Sequence, residues 1–161
     1  MDKLQEKLDR VKDEAEKFYG TIREVHCPYL GRKVNFNSKG LDHIKFKEWN
    51  KARSLSDQYL RLKFLKLTKT VIERSHTVQE FNQKNSLERQ NTNSRWEKKM
   101  VIVRYYGFVA IVNEVRIKVI IKEVNNGVPY FWSVIPFWKT KNDPLLGRVK
   151  HVFYEGDLEN Q

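Results

Sequence analysis

Leu4, Leu8, Val11, Ala15, Phe18 and Ile22 recur at intervals of four and three, with acids and bases between them. That period puts them on one side of a helix and predicts an amphipathic element over residues 1–24. Its seam needs a cover, either the body of the same chain or a second helix, since so few heptads do not specify a coiled coil. Next come a turn, His26-Cys27-Pro28-Tyr29-Leu30-Gly31, and a short strand, Val34-Asn35-Phe36. Ser38 is the expected N-cap of a helix whose first turn Gly40 weakens. At about 100° per residue, Lys39, His43, Phe46, Lys47, Asn50 and Arg53 share one side of it. Leu41, Ile44, Ala52 and Leu55 lie opposite, and Glu48 interrupts that apolar side, so the helix is shallowly buried or breaks early.

Ser54-Leu55-Ser56-Asp57 has the form of a capping box and opens a longer helix to about Ser75, striped by Leu60, Phe64, Leu67 and Val71. The polar segment from His76 to Arg95 predicts one edge strand over Thr77 to Phe81 and then an exposed, mobile loop. After Trp96 the chain turns β-branched and aromatic, with strands expected over Met100–Val103, Phe108–Val112, Val115–Val124 and Val128–Trp138. Asn125-Asn126-Gly127 is a tight hairpin signal between the last two. The expected fold is therefore α+β, with N-terminal helices followed by a four-stranded antiparallel sheet, the helices on one sheet face and the other face open. One domain spans residues 25–151, between the first helix and an acidic tail over 152–161.

Charge narrows the partners. Thirty-one Lys and Arg against 20 Asp and Glu give a formal net charge of +11, a field that draws polyanions, so nucleic acid is the first partner to consider. A non-specific basic surface, or an acidic protein partner, are the other readings of the same charge. The lone Cys27 excludes an intrachain disulfide and fits a reducing compartment, and no Cys/His spacing suits zinc. The charged amino terminus lacks the apolar core of a signal peptide and no apolar run approaches ~18 residues, which predicts a cytoplasmic protein without membrane contact. No phosphate loop or dinucleotide fingerprint is present, and no cofactor is expected.

In the strand Val115–Val124, Arg116, Lys118, Ile120 and Lys122 alternate onto one face, a ladder of cations suited to phosphate or simply a solvated face. Tyr130 to Lys139 interleaves aromatics with one hydroxyl, Ser133, and Trp138 beside Lys139 is the ring expected to be exposed. His43 among Lys39, Lys47 and Arg53 is the candidate acid–base group: nearby cations lower an imidazole's pKa and keep it neutral, as a base requires. A lone helical histidine is also compatible with a structural or solvated role.

Val34-Asn35-Phe36-Asn37-Ser38-Lys39-Gly40-Leu41-Asp42-His43-Ile44, with Phe131-Trp132-Ser133-Val134-Ile135-Pro136, resembles the phage-associated and toxin nucleases of the barnase, EndoU, colicin and RelE-like superfamily. The resemblance covers about residues 25–140. It implies a metal-independent endoribonuclease, often a toxin restrained by a cognate partner such as an acidic antitoxin or immunity protein. It implies His43 as the helix histidine, Ser133 as the last-strand hydroxyl and Arg116 or Lys118 as the basic strand position. Lys47 joins the expected catalytic set by helix geometry, and Lys39, Arg53, Lys118, Lys122, Trp138 and Lys139 form the expected RNA-binding set. A nucleic-acid-binding module without catalysis, belonging to a phage or ribosome-associated assembly, is the competing expectation.

Overall fold

The computed structural model describes residues 3–48, 51–137, 142–143, 147–148 and 158–159. Helix α1 (Lys3–Ile22) lays its seam on the body of the same chain, with Leu8, Ala15 and Tyr19 buried and Val11 and Ile22 half-buried. Its main neighbour is α3 (Leu55–Phe64). Between them the chain forms a hairpin of β1 (Glu24–Cys27) and β2 (Arg32–Asn35), then α2 (Ser38–Lys45), then a short pair, β3 (Phe46–Glu48) and β4 (Lys51–Ala52). A 3-10 turn at Leu65–Leu67 separates α3 from α4 (Thr68–Glu73). The long strands β5 (Glu80–Thr92), β6 (Arg95–Val112), β7 (Val115–Val124) and β8 (Tyr130–Phe137) follow, with two-residue strands β9 (Asn142–Asp143) and β10 (Gly147–Arg148).

The class is α+β, but the expected four-stranded antiparallel sheet is wrong. Among the described residues the main sheet has six strands in the order β1-β2-β8-β7-β6-β5, beside the separate pairs β3-β4 and β9-β10, and β2 joins β8 in parallel at Asn35 and Tyr130. The first hairpin lies before most of the helices and pairs with the last long strand, a contact of long sequence separation that no local pattern reports. The stretch expected as an exposed loop is likewise strand: β5 starts at Glu80, later than the edge strand expected from Thr77, and pairs with β6 along its whole length to Thr92. Its turn, Asn93-Ser94, has both residues at positive φ, the geometry of a tight hairpin. Asn37, not Ser38, caps α2, accepting from the amides of Lys39 and Gly40, whereas Ser54 caps α3 as expected. The predicted long helix breaks after Phe64, where the Thr68 hydroxyl bonds back to the Leu65 carbonyl at 2.7 Å.

Two cores result. Helices and one sheet face enclose the larger, in which Ile117, Val119 and Ile121 of β7 point inward as their alternation predicts. The opposite face is not open: Val101, Val103, Tyr105 and Ile120 are buried there with Leu158 from the chain end. In the larger core Phe36 stacks on Phe131 with ring centres 5.1 Å apart and planes 4° from parallel, and Tyr19 leans on both rings.

α2 lies directly against β8, and Gly40 is the point of closest approach. A β-carbon there would stand 2.2 Å from the main-chain oxygen of Phe131, which explains a glycine in a first turn it weakens. Gly40→Ala must therefore push α2 off β8, and we expect a loss of about 2 kcal/mol or more despite the better helix propensity of alanine. Urea unfolding checks this; stability equal to or above the parent would refute the close packing.

Candidate functional site

Between β7 and β8 the register slips: Ile121 faces Phe131, but Ile120 faces Ser133, so Trp132 is an extra residue on β8. The bulge re-aims its ring toward α2. His43 stacks on it at 4.0 Å between centres and 19° between planes, and Lys122 Nζ lies 4.3 Å from the same ring centre. The indole Nε1–H donates to the carbonyl of Glu159 at 3.0 Å.

Antiparallel pairing of β4 with β3 returns the chain so that Arg53 meets His43. Its main-chain amide donates to the Lys45 carbonyl at 2.9 Å, and its Nε donates to the His43 carbonyl, also at 2.9 Å. Nη2 of Arg53 lies 3.1 Å from Nε2 of His43. A guanidinium only donates, so Nε2 is the acceptor and the ring proton is on Nδ1. Asp57 takes Arg53 at 3.3 Å and Arg61 at 2.8 Å, and Arg61 Nη1 donates to Ser133 Oγ at 2.6 Å. Two helix-spaced cations thus share one carboxylate, and α2, α3 and β8 are joined through polar side chains.

This cluster is closed: His43, Arg53, Arg61, Lys122 and Ser133 are only 0–7% exposed. Burial first, then the charges of Arg53, Arg61 and Lys122, push the His43 pKa down to about 2, so the ring is neutral at any working pH. Burial also lowers Arg53, to about 10, where it stays charged. For Asp57 burial acts upward, but Arg61 and Arg53 outweigh it and hold the carboxyl below its usual range. Lys122 is lowered by burial against the opposing pull of Glu88, 3.0 Å away.

Of the sequence-predicted residues, His43, Arg53, Lys122 and Ser133 meet here, and Lys39 stands at the edge, 5.5 Å from the Tyr130 ring centre. Arg116 does not join them; it faces Phe137 at the far end of β7, roughly 20 Å along the strand from Lys122. The expected solvated cation ladder is corrected too, since Lys118 and Lys122 are buried in ion pairs with Glu80 at 2.8 Å and Glu88 at 3.0 Å. Nor do Lys39, His43 and Arg53 share one exposed helix side, because α2 ends at Lys45 and His43 is buried. Lys47 lies in β3 with its side chain outside the described part, and Asn50, Trp138 and Lys139 are outside the described residues.

No family model matches the chain, and neither a curated protein nor a solved structure does. Among the described residues no His, Cys, Asp and Glu cluster is gathered as for a metal ion, and no helix is long and apolar enough to cross a membrane. The residues that sequence reasoning missed are Arg61, Asp57 and Trp132. The spacing Arg53, Asp57, Arg61 carries a signal for the first two, an alternation of charge at i, i+4. A bulge leaves no such trace, and Trp132 was not recoverable.

Unfolding returns the His43 imidazole to water and to a pKa near 6.5, so below that pH the unfolded chain takes a proton that the folded one refuses. Stability therefore falls on acidification, by about 1.4 kcal/mol per pH unit from this group. We expect His43→Gln, which keeps an acceptor for Arg53, to lose about 2 kcal/mol less than the parent between pH 6.5 and pH 5 in urea unfolding. Identical pH dependence of the two proteins would mean that the buried ring titrates normally.

Proposed function

We propose that the protein is a metal-independent endoribonuclease that holds a substrate phosphate at the cluster around His43 and Trp132. The observation that supports it is one buried cluster in which His43 and Lys122 lie on the bulged Trp132, Arg53 holds the neutral His43, and Arg61 holds the Ser133 hydroxyl. Burying Arg53, Arg61 and Lys122 costs several kcal/mol per ion in solvation, which oxygen partners offset; Asp57 and Glu88 are two of these, and a substrate phosphate would supply further oxygens of the same kind.

In this scheme the phosphate draws Arg53 away from His43, which frees Nε2 to take the proton of the 2'-hydroxyl. The 2'-oxygen bonds to phosphorus, the bond to the 5'-oxygen breaks, and that oxygen takes a proton from a water whose hydroxide is neutralised by the proton held on His43, giving a cyclic phosphate, a 5'-hydroxyl and neutral His43. Arg53, Arg61 and Lys122 stabilise the developing charge, and Ser133 orients a phosphate oxygen. The substrate enters where the Leu158–Glu159 turn now lies on Trp132. A toxin role restrained by an acidic partner, in the reducing cytoplasm that the lone Cys27 fits, belongs to the same proposal.

Binding without cleavage is the second reading, and the state of His43 favours it: the ring is shielded and its only lone pair in the ring plane is engaged by Arg53. Incubating RNA with the protein in EDTA decides between them. The nuclease reading expects cleavage that falls on the order of 100-fold or more in His43→Gln and also falls in Ser133→Ala. RNA left intact by the parent protein, or cut equally by His43→Gln, would remove His43 from any mechanism.

A further inference from the structure

Strands β5 and β6 run past the sheet. β7 covers β6 only from Val103 to Val112, so the pairs from Asn85 and Ile102 to Thr92 and Arg95 extend as a two-stranded ribbon. Alternation sorts the charges of the two strands. All their carboxylates, Glu80, Glu88 and Glu97, fall on the face turned toward Lys118 and Lys122, where Glu80 and Glu88 make ion pairs. The outer face carries Arg89, Lys98 and Arg104 and no carboxylate from either strand. Glu123 of β7 reaches this side at 3.0 Å from both Arg32 and Arg104, two cations to one anion.

Rings mark the two ends of this face. Trp96 is 65% exposed near the tip, with Arg89 5.5 Å from its ring centre. Phe81, 51% exposed, leans on Tyr106 at the other end, and Tyr29, 42% exposed, packs edge-on to Tyr106. Leu87, Met100 and Ile102 lie exposed between the ends. From Phe81 to Asn91, the partner of Trp96, the strand covers roughly 34 Å, a span for several nucleotides of an extended strand.

We propose that this outer face of the β5–β6 ribbon docks single-stranded nucleic acid, with bases on Trp96 and Phe81 and phosphates on Arg89, Lys98 and Arg104. A second copy of the chain is disfavoured as occupant, because a symmetric contact sets these cations against themselves. A duplex hides the base faces that exposed rings stack upon, whereas a single strand offers them, and the aliphatic side chains between the rings cover sugars and base edges. The face lies on the opposite side of the two strands from the buried lysines. It rests on the same polyanion reading of the charge as the proposed function, but not on cleavage.

The test uses the full chain and a short fluorescein-labelled oligothymidylate, read by anisotropy at low and at raised salt, beside the same strand annealed to its complement. DNA has no 2'-hydroxyl, so binding is read whether or not the protein cuts RNA. Single-strand affinity is expected to exceed duplex affinity, to fall as salt rises, and to weaken roughly 5- to 100-fold in Trp96→Ala, with Trp96→Phe retaining most of it. Lys98→Glu should weaken it as well. These side chains are exposed, so the variants fold, and far-ultraviolet circular dichroism verifies it. Equal or tighter duplex binding, no salt-sensitive binding, or unchanged affinity in Trp96→Ala would each overturn the proposal.

Discussion

The Arg53 guanidinium donates at once to the carbonyl and the ring nitrogen of His43 and to Asp57, so one buried cation ties the end of α2 to the start of α3. With Arg53 donating to Nε2, the ring tolerates no proton there. A charged imidazole would offer Arg53 a donor in place of an acceptor and set two cations in contact, so the low pKa of His43 and the position of Arg53 are one constraint. Asp57 extends it to Arg61, and Arg61 to Ser133, which brings β8 into the same network. Gly40 then lets α2 approach β8 closely enough for His43 to reach the bulged Trp132.

A second set of ions holds the other side of the sheet. Lys118 and Lys122 cross the face of β6 to carboxylates of β5, and Gly107 of β6 leaves room for the Lys118 stem, whose Cδ lies 3.6 Å from where a β-carbon would be. Pairing these carboxylates inward has a consequence at the surface. Glu80 and Glu88 of β5 are spent on buried lysines, Glu97 of β6 falls on the same face beside Lys99, and the outer face of the two strands presents cations beside exposed rings. A net charge of +11 is a property of composition; alternation along two strands decides where part of it is presented.

Much of this was legible locally. The α1 seam, the Ser54 cap, the inward side of β7 and the tight turn at Asn125-Asn126, both at positive φ, follow from period, capping and turn chemistry. What failed was non-local. β5 is almost wholly polar, and a strand whose inward residues are carboxylates looks like a loop until the lysines that meet them are placed. The parallel join of β2 to β8 has no local signature. Arg53 is the instructive residue: helix periodicity puts it beside His43, but the helix ends at Lys45 and Arg53 arrives there instead through the antiparallel pairing of β3 with β4. The neighbours were right and the path was wrong, because Glu48 on the supposed apolar side marked the break without showing where the chain went next.

The chain end bears on how the cluster could take a ligand. Leu158 is buried in the second core, the Glu159 carbonyl accepts from Trp132, and the Glu159 carboxylate pairs with Lys84. A main-chain oxygen of the chain itself therefore already meets the edge of the ring on which His43 and Lys122 lie. A phosphate would offer oxygens to the same donors, and its entry requires the turn to leave, with re-exposure of Leu158 as the cost. In the proposed reading the Leu158–Glu159 turn therefore competes with the phosphate for the edge of Trp132, and an anion would enter only where its contacts outweigh those of that turn.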